Sequence, residues 1–158
     1  MGQTYNTILC QRRKRIHSPM KTLTDQQRID IVRYRIENAQ ATLKEVSSHI
    51  ENAFYNTAVN RLYYACYYAA CALLISKGIE VKSHDGVRQQ LGLHFVLTNV
   101  IPQPLGRFYS RLFSKRSTGD YDDFVNHTKE TVDELYPQAK EFIETAEQYI
   151  NNWLRKER

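Results

Sequence analysis

The chain has 158 residues, 42% of them hydrophobic, which supplies one real core and sets the expectation of a single domain. Its formal charge of +5 says little about that domain: Arg12, Arg13, Lys14 and Arg15 lie in a first stretch of twenty residues without any acid, and from Lys21 onward 18 basic residues face 17 acidic ones. Three cysteines, Cys10, Cys66 and Cys71, are odd in number and argue against a disulfide framework or a zinc site.

Residues 1–20 show no helical period and no continuous apolar run before the basic cluster, so they read as a flexible basic arm rather than a secretory signal, and the cytoplasm is the expected location. Met20 offers a plausible natural start. A helical domain is expected over residues 21–158.

The first helix is announced by Thr24-Asp25-Gln26-Gln27, a capping-box pattern, and carries Ile29, Val32, Ile36, Ala39, Leu43, Val46 and Ile50 at gaps alternating between three and four. Such a seam packs lengthwise on another helix. After a turn over residues 52–56, a second helix is expected from about Thr57 to the C′ glycine Gly78, antiparallel to the first. Within it Leu62 to Ile75 is uncharged but interrupted by Tyr63, Tyr64, Tyr67 and Tyr68, too short and too polar for a bilayer span of about 20 residues. It reads as a buried helix in which Ala65, Ala69, Ala70 and Ala72 allow close approach while phenols fill volume and seek partners.

Ser83 or Asp85 can cap a third helix reaching about Leu97, with Val87, Leu91 and Phe95 inward. Pro102 and Pro104 break the chain. A fourth helix from about Leu105 to Arg116 stops at Ser117-Thr118-Gly119 by this reading. The last helix carries a second seam, Val132, Leu135, Ala139, Phe142, Ala146, Tyr149 and Trp153, and is expected to pair with the first; Pro137 should kink it or mark its first turn. The fold class is therefore all-α, an up-and-down bundle of about five helices.

Charge of both signs concentrates at Arg107, Arg111, Lys115 and Arg116, followed by Asp120, Asp122 and Asp123. A solvated helix face explains such a pattern by default. The functional reading starts from Arg116, whose planar fork of donors suits a phosphate or a phosphorane.

Asn60-Arg61-Leu62-Tyr63-Tyr64-Ala65, Ser83-His84-Asp85-Gly86-Val87 and Arg116-Ser117-Thr118-Gly119-Asp120-Tyr121, in that order, resemble the HEPN domains (higher eukaryotes and prokaryotes nucleotide-binding), especially the small single-domain prokaryotic branch. The resemblance spans about Thr24 to Leu154. It implies a helical bundle that often forms homodimers, is frequently encoded beside a minimal nucleotidyltransferase, and in many members is a metal-independent ribonuclease toxin of a toxin-antitoxin system.

The family's catalytic pattern is an arginine followed after four to six residues by a histidine. Arg116 matches the arginine, but five residues on stands Tyr121, a phenol with an ordinary pKa of about 10 and a poor base at neutral pH. The resemblance leaves Asp120 or His84 to move the proton, Tyr121 to orient the phosphate, and Arg111, Lys115 and Arg116 to hold RNA or a nucleotide. His84 has a structural alternative, a hydrogen bond to a buried phenol. His94 and Arg88 match the spacing on the wrong helix, and His49 and His127 carry no constellation. No cofactor or metal is implied. The alternative from another class is a non-catalytic module that docks a nucleotidyltransferase or other protein, which loss of the motif histidine favours.

Overall fold

The computed structural model describes residues 22–121 and 125–157, with the backbone alone described for 117–121. The expected arm over residues 1–20 lies outside the described residues. Five α-helices follow in chain order: α1 (Asp25–Glu51), α2 (Tyr55–Ser76), α3 (His84–Leu91), α4 (Gln103–Tyr121) and α5 (Lys129–Lys156). No strand occurs among the described residues.

Thr24 caps α1 as its sequence demands: its hydroxyl accepts from the Gln27 N–H at 3.2 Å while the Gln27 side chain accepts from the Thr24 N–H at 3.0 Å. Both ends of the α1–α2 hairpin close by the same device. At the end of α2 the Ile79 N–H reaches the Leu74 carbonyl and the Gly78 N–H the Ile75 carbonyl, with Gly78 at φ +72°. At the end of α1 the Phe54 N–H reaches His49 and the Ala53 N–H reaches Ile50, but the residue forced to a positive φ of 57° is an alanine. The hairpin is antiparallel, since Arg61 pairs with Glu45 at 2.8 Å and Arg35 lies 5.7 Å from the Tyr68 ring centroid further along.

α2 is the axis of the molecule. Thirteen of its 22 residues are buried, around most of the helix, with Arg61, Tyr64, Tyr68 and Ile75 on a partly buried face, which is why its sequence carries no narrow apolar stripe. Small residues bring its neighbours close enough for the Cys66 thiol to contact the Ala139 carbonyl of α5 at 3.9 Å. The seam of α5 accordingly packs chiefly on α2 and less on α1, where Gln40 donates to Glu147 at 2.6 Å. This corrects the expected pairing of the last helix with the first: a three-four seam defines a buried face but not which helix covers it.

Two other boundaries differ from expectation. Val87, Leu91 and Phe95 are all buried, but a spacing of four overruns the 3.6-residue turn, and the chain resolves this with a π-helical turn over Gly92–Val96, closed by Leu97 N–H to Gly92 carbonyl at 3.0 Å. α4 runs on through Ser117-Thr118-Gly119 to Tyr121, since one glycine costs about 1 kcal/mol in a helix and does not by itself end one. Pro137 sits inside α5 on its exposed side, where the carbonyl of Asp133 forgoes its in-helix donor facing water.

Candidate functional site

Three helices converge on Arg116. From α2, Tyr64 accepts a hydrogen bond from Arg116 Nη2 at 3.1 Å, and the guanidinium carbon stands 5.3 Å from the ring centroid of Tyr63 and 5.5 Å from that of Tyr64. Two aromatic rings thus flank the cation, an arrangement that favours a guanidinium over an ammonium.

α3 delivers His84 to the same cluster. Its Nδ1 lies 2.9 Å from the hydroxyl of Tyr63, and its ring centroid is 4.5 Å from that of Tyr67. Tyr63 is fully buried, and burial pushes its phenol far above the ordinary range, with the Arg116 charge opposing. We therefore assign its O–H as the donor and Nδ1 as the acceptor. Burial likewise raises the Tyr67 phenol to about 12, with Cys71 adding to the rise.

The Ser83-His84-Asp85-Gly86 sequence has a local reason. Ser83 Oγ accepts from the Gly86 N–H at 3.0 Å and caps α3, which fixes His84 as the first helical residue. A Cβ at Gly86 would stand 2.5 Å from Val81 Cγ1 and 2.8 Å from that same Ser83 Oγ, so any larger residue forces them to shift. Asp85 accepts from Arg88 and Gln89, which hold its carboxyl below the usual range. Arg88 lies over the Phe113 ring at 5.6 Å.

On its other side Arg116 lines a cleft of about 240 Å³ together with Lys115, Asn56, Thr57, Asn60 and His127. Asn56 forms the floor: its Oδ1 accepts from the His127 N–H at 2.7 Å, and its Nδ2 reaches the Val125 carbonyl and Asn126 Oδ1, each at 3.4 Å. The His127 imidazole is partly buried. Burial first, and the Lys115 charge second, depress its pKa below the ordinary histidine value.

The structure thus joins Arg116 and His84 around Tyr63 and Tyr64, and sets Lys115 beside Arg116 on the cleft. Asp120 stands one helical turn beyond Arg116 in α4 and Tyr121 directly after it; their side chains lie outside the described residues. Arg111 is elsewhere, donating to Gln138 of α5 at 3.1 Å beside a separate cleft with Arg88 and Arg107. His94 pairs with Gln90 on the far side of α3. His127 was invisible to motif reasoning, because it lies 11 residues past Arg116 and its anchor, Asn56, is 71 positions away.

The chain is thus an all-α helical bundle that gathers an arginine, tyrosines and a helix-opening histidine. The profile of the HEPN domain matches residues 32–149, and the chain belongs to that family. Its relatives include a "UPF0332 protein" of Thermotoga maritima, 34% identical over 79% of this chain and 95% of that one. Two Methanocaldococcus jannaschii proteins are each 30% identical: "Putative toxin MJ0605", over 85% of this chain and all of that one, and "Putative toxin MJ0142", over 73% and 78%. Among the described residues no helix is long and apolar enough to cross a membrane.

Proposed function

We propose that this chain is a toxin-type HEPN protein that grips the phosphodiester backbone of RNA through Arg116 and Lys115 and cleaves it without a metal ion, acting in the cytoplasm as a twofold dimer. The observation that carries the reading is the Arg116 guanidinium, fixed by Tyr63 and Tyr64 and lining a polar cleft with Lys115. A fork of donors held before the ligand arrives loses little entropy on binding and can stabilise charge as it grows on a scissile phosphate. The two relatives named as toxins are consistent with it. An isologous dimer would bring two such arginines to one groove.

The test is incubation of the full chain with a labelled single-stranded RNA in the presence of a chelator, reading both binding and cleavage. Arg116→Ala should abolish cleavage and weaken binding at least tenfold. Equal binding by the parent and Arg116→Ala would overturn the assignment.

A second reading rests on Tyr121, which stands where the family pattern has histidine: a non-catalytic module that docks a nucleotidyltransferase. It predicts no cleavage by the natural chain, and a stable complex with a minimal nucleotidyltransferase in size-exclusion chromatography.

A further inference from the structure

A cleavage site needs a base as well as a phosphate ligand, and the pattern that normally supplies one in this fold is broken at Tyr121. His84 is poorly placed to replace it, because its Nδ1 is engaged by Tyr63 and its ring packs on Tyr67. The geometry points to His127 as the general base, working from the start of α5 across the cleft it shares with Lys115 and Arg116. This inference rests on the ribonuclease reading above and supplies the residue that reading lacks.

Four observations support it. His127, Lys115 and Arg116 line one cleft, so a phosphate held by the two cations would lie beside the imidazole. At about 240 Å³ the cleft falls below the roughly 300–1,000 Å³ of pockets that enclose a whole small molecule, and suits one phosphodiester with the strand continuing outside. The backbone of His127 is pinned by Asn56, and Thr128 caps α5 immediately after it, so the ring is carried on fixed ground. Burial, and after it the Lys115 charge, lower the pKa of the imidazole and so favour the neutral ring that a base needs.

The step balances without another reactant. His127 takes the proton of a ribose 2′-hydroxyl, and the 2′-oxygen forms a bond to phosphorus while the bond from phosphorus to the 5′-oxygen breaks. The departing 5′-oxygen takes a proton from water, and the imidazolium returns its own to solvent. The products are a 2′,3′-cyclic phosphate and a 5′-hydroxyl. Arg116 and Lys115 neutralise the charge on the nonbridging oxygens as it grows. Thr57 and Asn60 are the other polar residues of the α2 wall, and in this proposal they face the ribose.

The experiment uses the full chain, a chelator, and a DNA oligonucleotide carrying a single ribonucleotide, with an all-DNA version as the binding probe. The parent should give the cyclic phosphate by mass spectrometry. His127→Gln, which keeps the backbone contact to Asn56, should slow cleavage at least 100-fold while binding of the all-DNA probe changes less than twofold; His127→Ala should regain part of its rate with added imidazole, which a structural role would not allow. Melting curves matched to the parent exclude misfolding. Full activity in His127→Gln with loss in Arg116→Ala would overturn the role of His127 and leave the ribonuclease reading standing. Binding without cleavage in the parent would overturn both the base and the cleavage reading while leaving phosphate recognition. Absence of binding would overturn all three.

Discussion

Arg116 lies across the ring of Tyr63, 5.3 Å from guanidinium carbon to centroid, and Tyr63 in turn holds Nδ1 of His84 at 2.9 Å, so one buried phenol contacts both the arginine and the histidine. Two consequences are measurable. Arg116→Lys keeps the charge but loses the flat face and the fork, and should weaken RNA binding nearly as much as Arg116→Ala. Tyr63→Phe removes a hydroxyl but not the ring, and should cost about 1 kcal/mol in denaturant unfolding. Retention of parent affinity in Arg116→Lys would show that charge alone is read.

Ala53 occupies the left-handed position that closes α1, at φ 57°. The strain on a residue with a Cβ there is about 1–2 kcal/mol, against about 0.4–1 kcal/mol that a glycine adds to the entropy of the unfolded chain. Ala53→Gly should therefore stabilise the protein by roughly 0.5–1 kcal/mol, read as a raised denaturant midpoint with unchanged slope. A lowered midpoint would refute this.

Gly86→Ala should do the opposite. The new methyl meets Val81 and the capping oxygen of Ser83 at once, and overpacking of this kind costs about 1–3 kcal/mol. Because α3 starts there, His84 should also shift, visible as a changed chemical shift of its ring protons. A variant with parent stability would mean the Val81 loop yields freely.

The depressed pKa of His127 has a sign that stability must follow. The unfolded chain takes up the proton first as pH falls through about 6.5, so the folded state loses stability from there down to the lower folded pKa and no further. The groups around it are Lys115 and Arg116 on α4, Lys129 and Glu130 in the first turn of α5, and the uncharged Asn56, Thr57 and Asn60 on α2. His127→Gln should remove that part of the acid sensitivity. A difference in unfolding midpoint between parent and variant that is the same at pH 7.5 and pH 5 would contradict the prediction.

How much of this was legible in the residues depends on how far apart the partners are. Thr24 with Gln27, Ser83 with Gly86, and Gly78 after Ile75 are devices spanning a few positions, and each formed as its local chemistry requires. The bundle class followed from the seams and from the uncharged α2. The partner of α5 did not, because α2 hides its buried faces in a uniform run of small and aromatic residues that shows no period. The end of α4 lies beyond Ser117-Thr118-Gly119, because that triplet disfavours a helix only weakly. At the site, Arg116 and His84 were found through motifs, whereas the placement of His127 depends on a hydrogen bond from an asparagine 71 positions away, for which no spacing rule exists.

Enclosure of α2 also turns the protein into its own clock. Cys66 is fully buried against the Ala139 carbonyl and Cys71 is nearly so, and burial raises both thiols, which suppresses the thiolate that reagents attack. In a Cys10→Ser background, alkylation of Cys66 therefore has to wait until the α2 seams part, whereas Cys71 lines a surface cleft with Arg35 and Tyr67. The rate at which Cys66 is modified counts those openings one molecule at a time, and Cys71, five residues on at the cleft's edge, supplies the comparison.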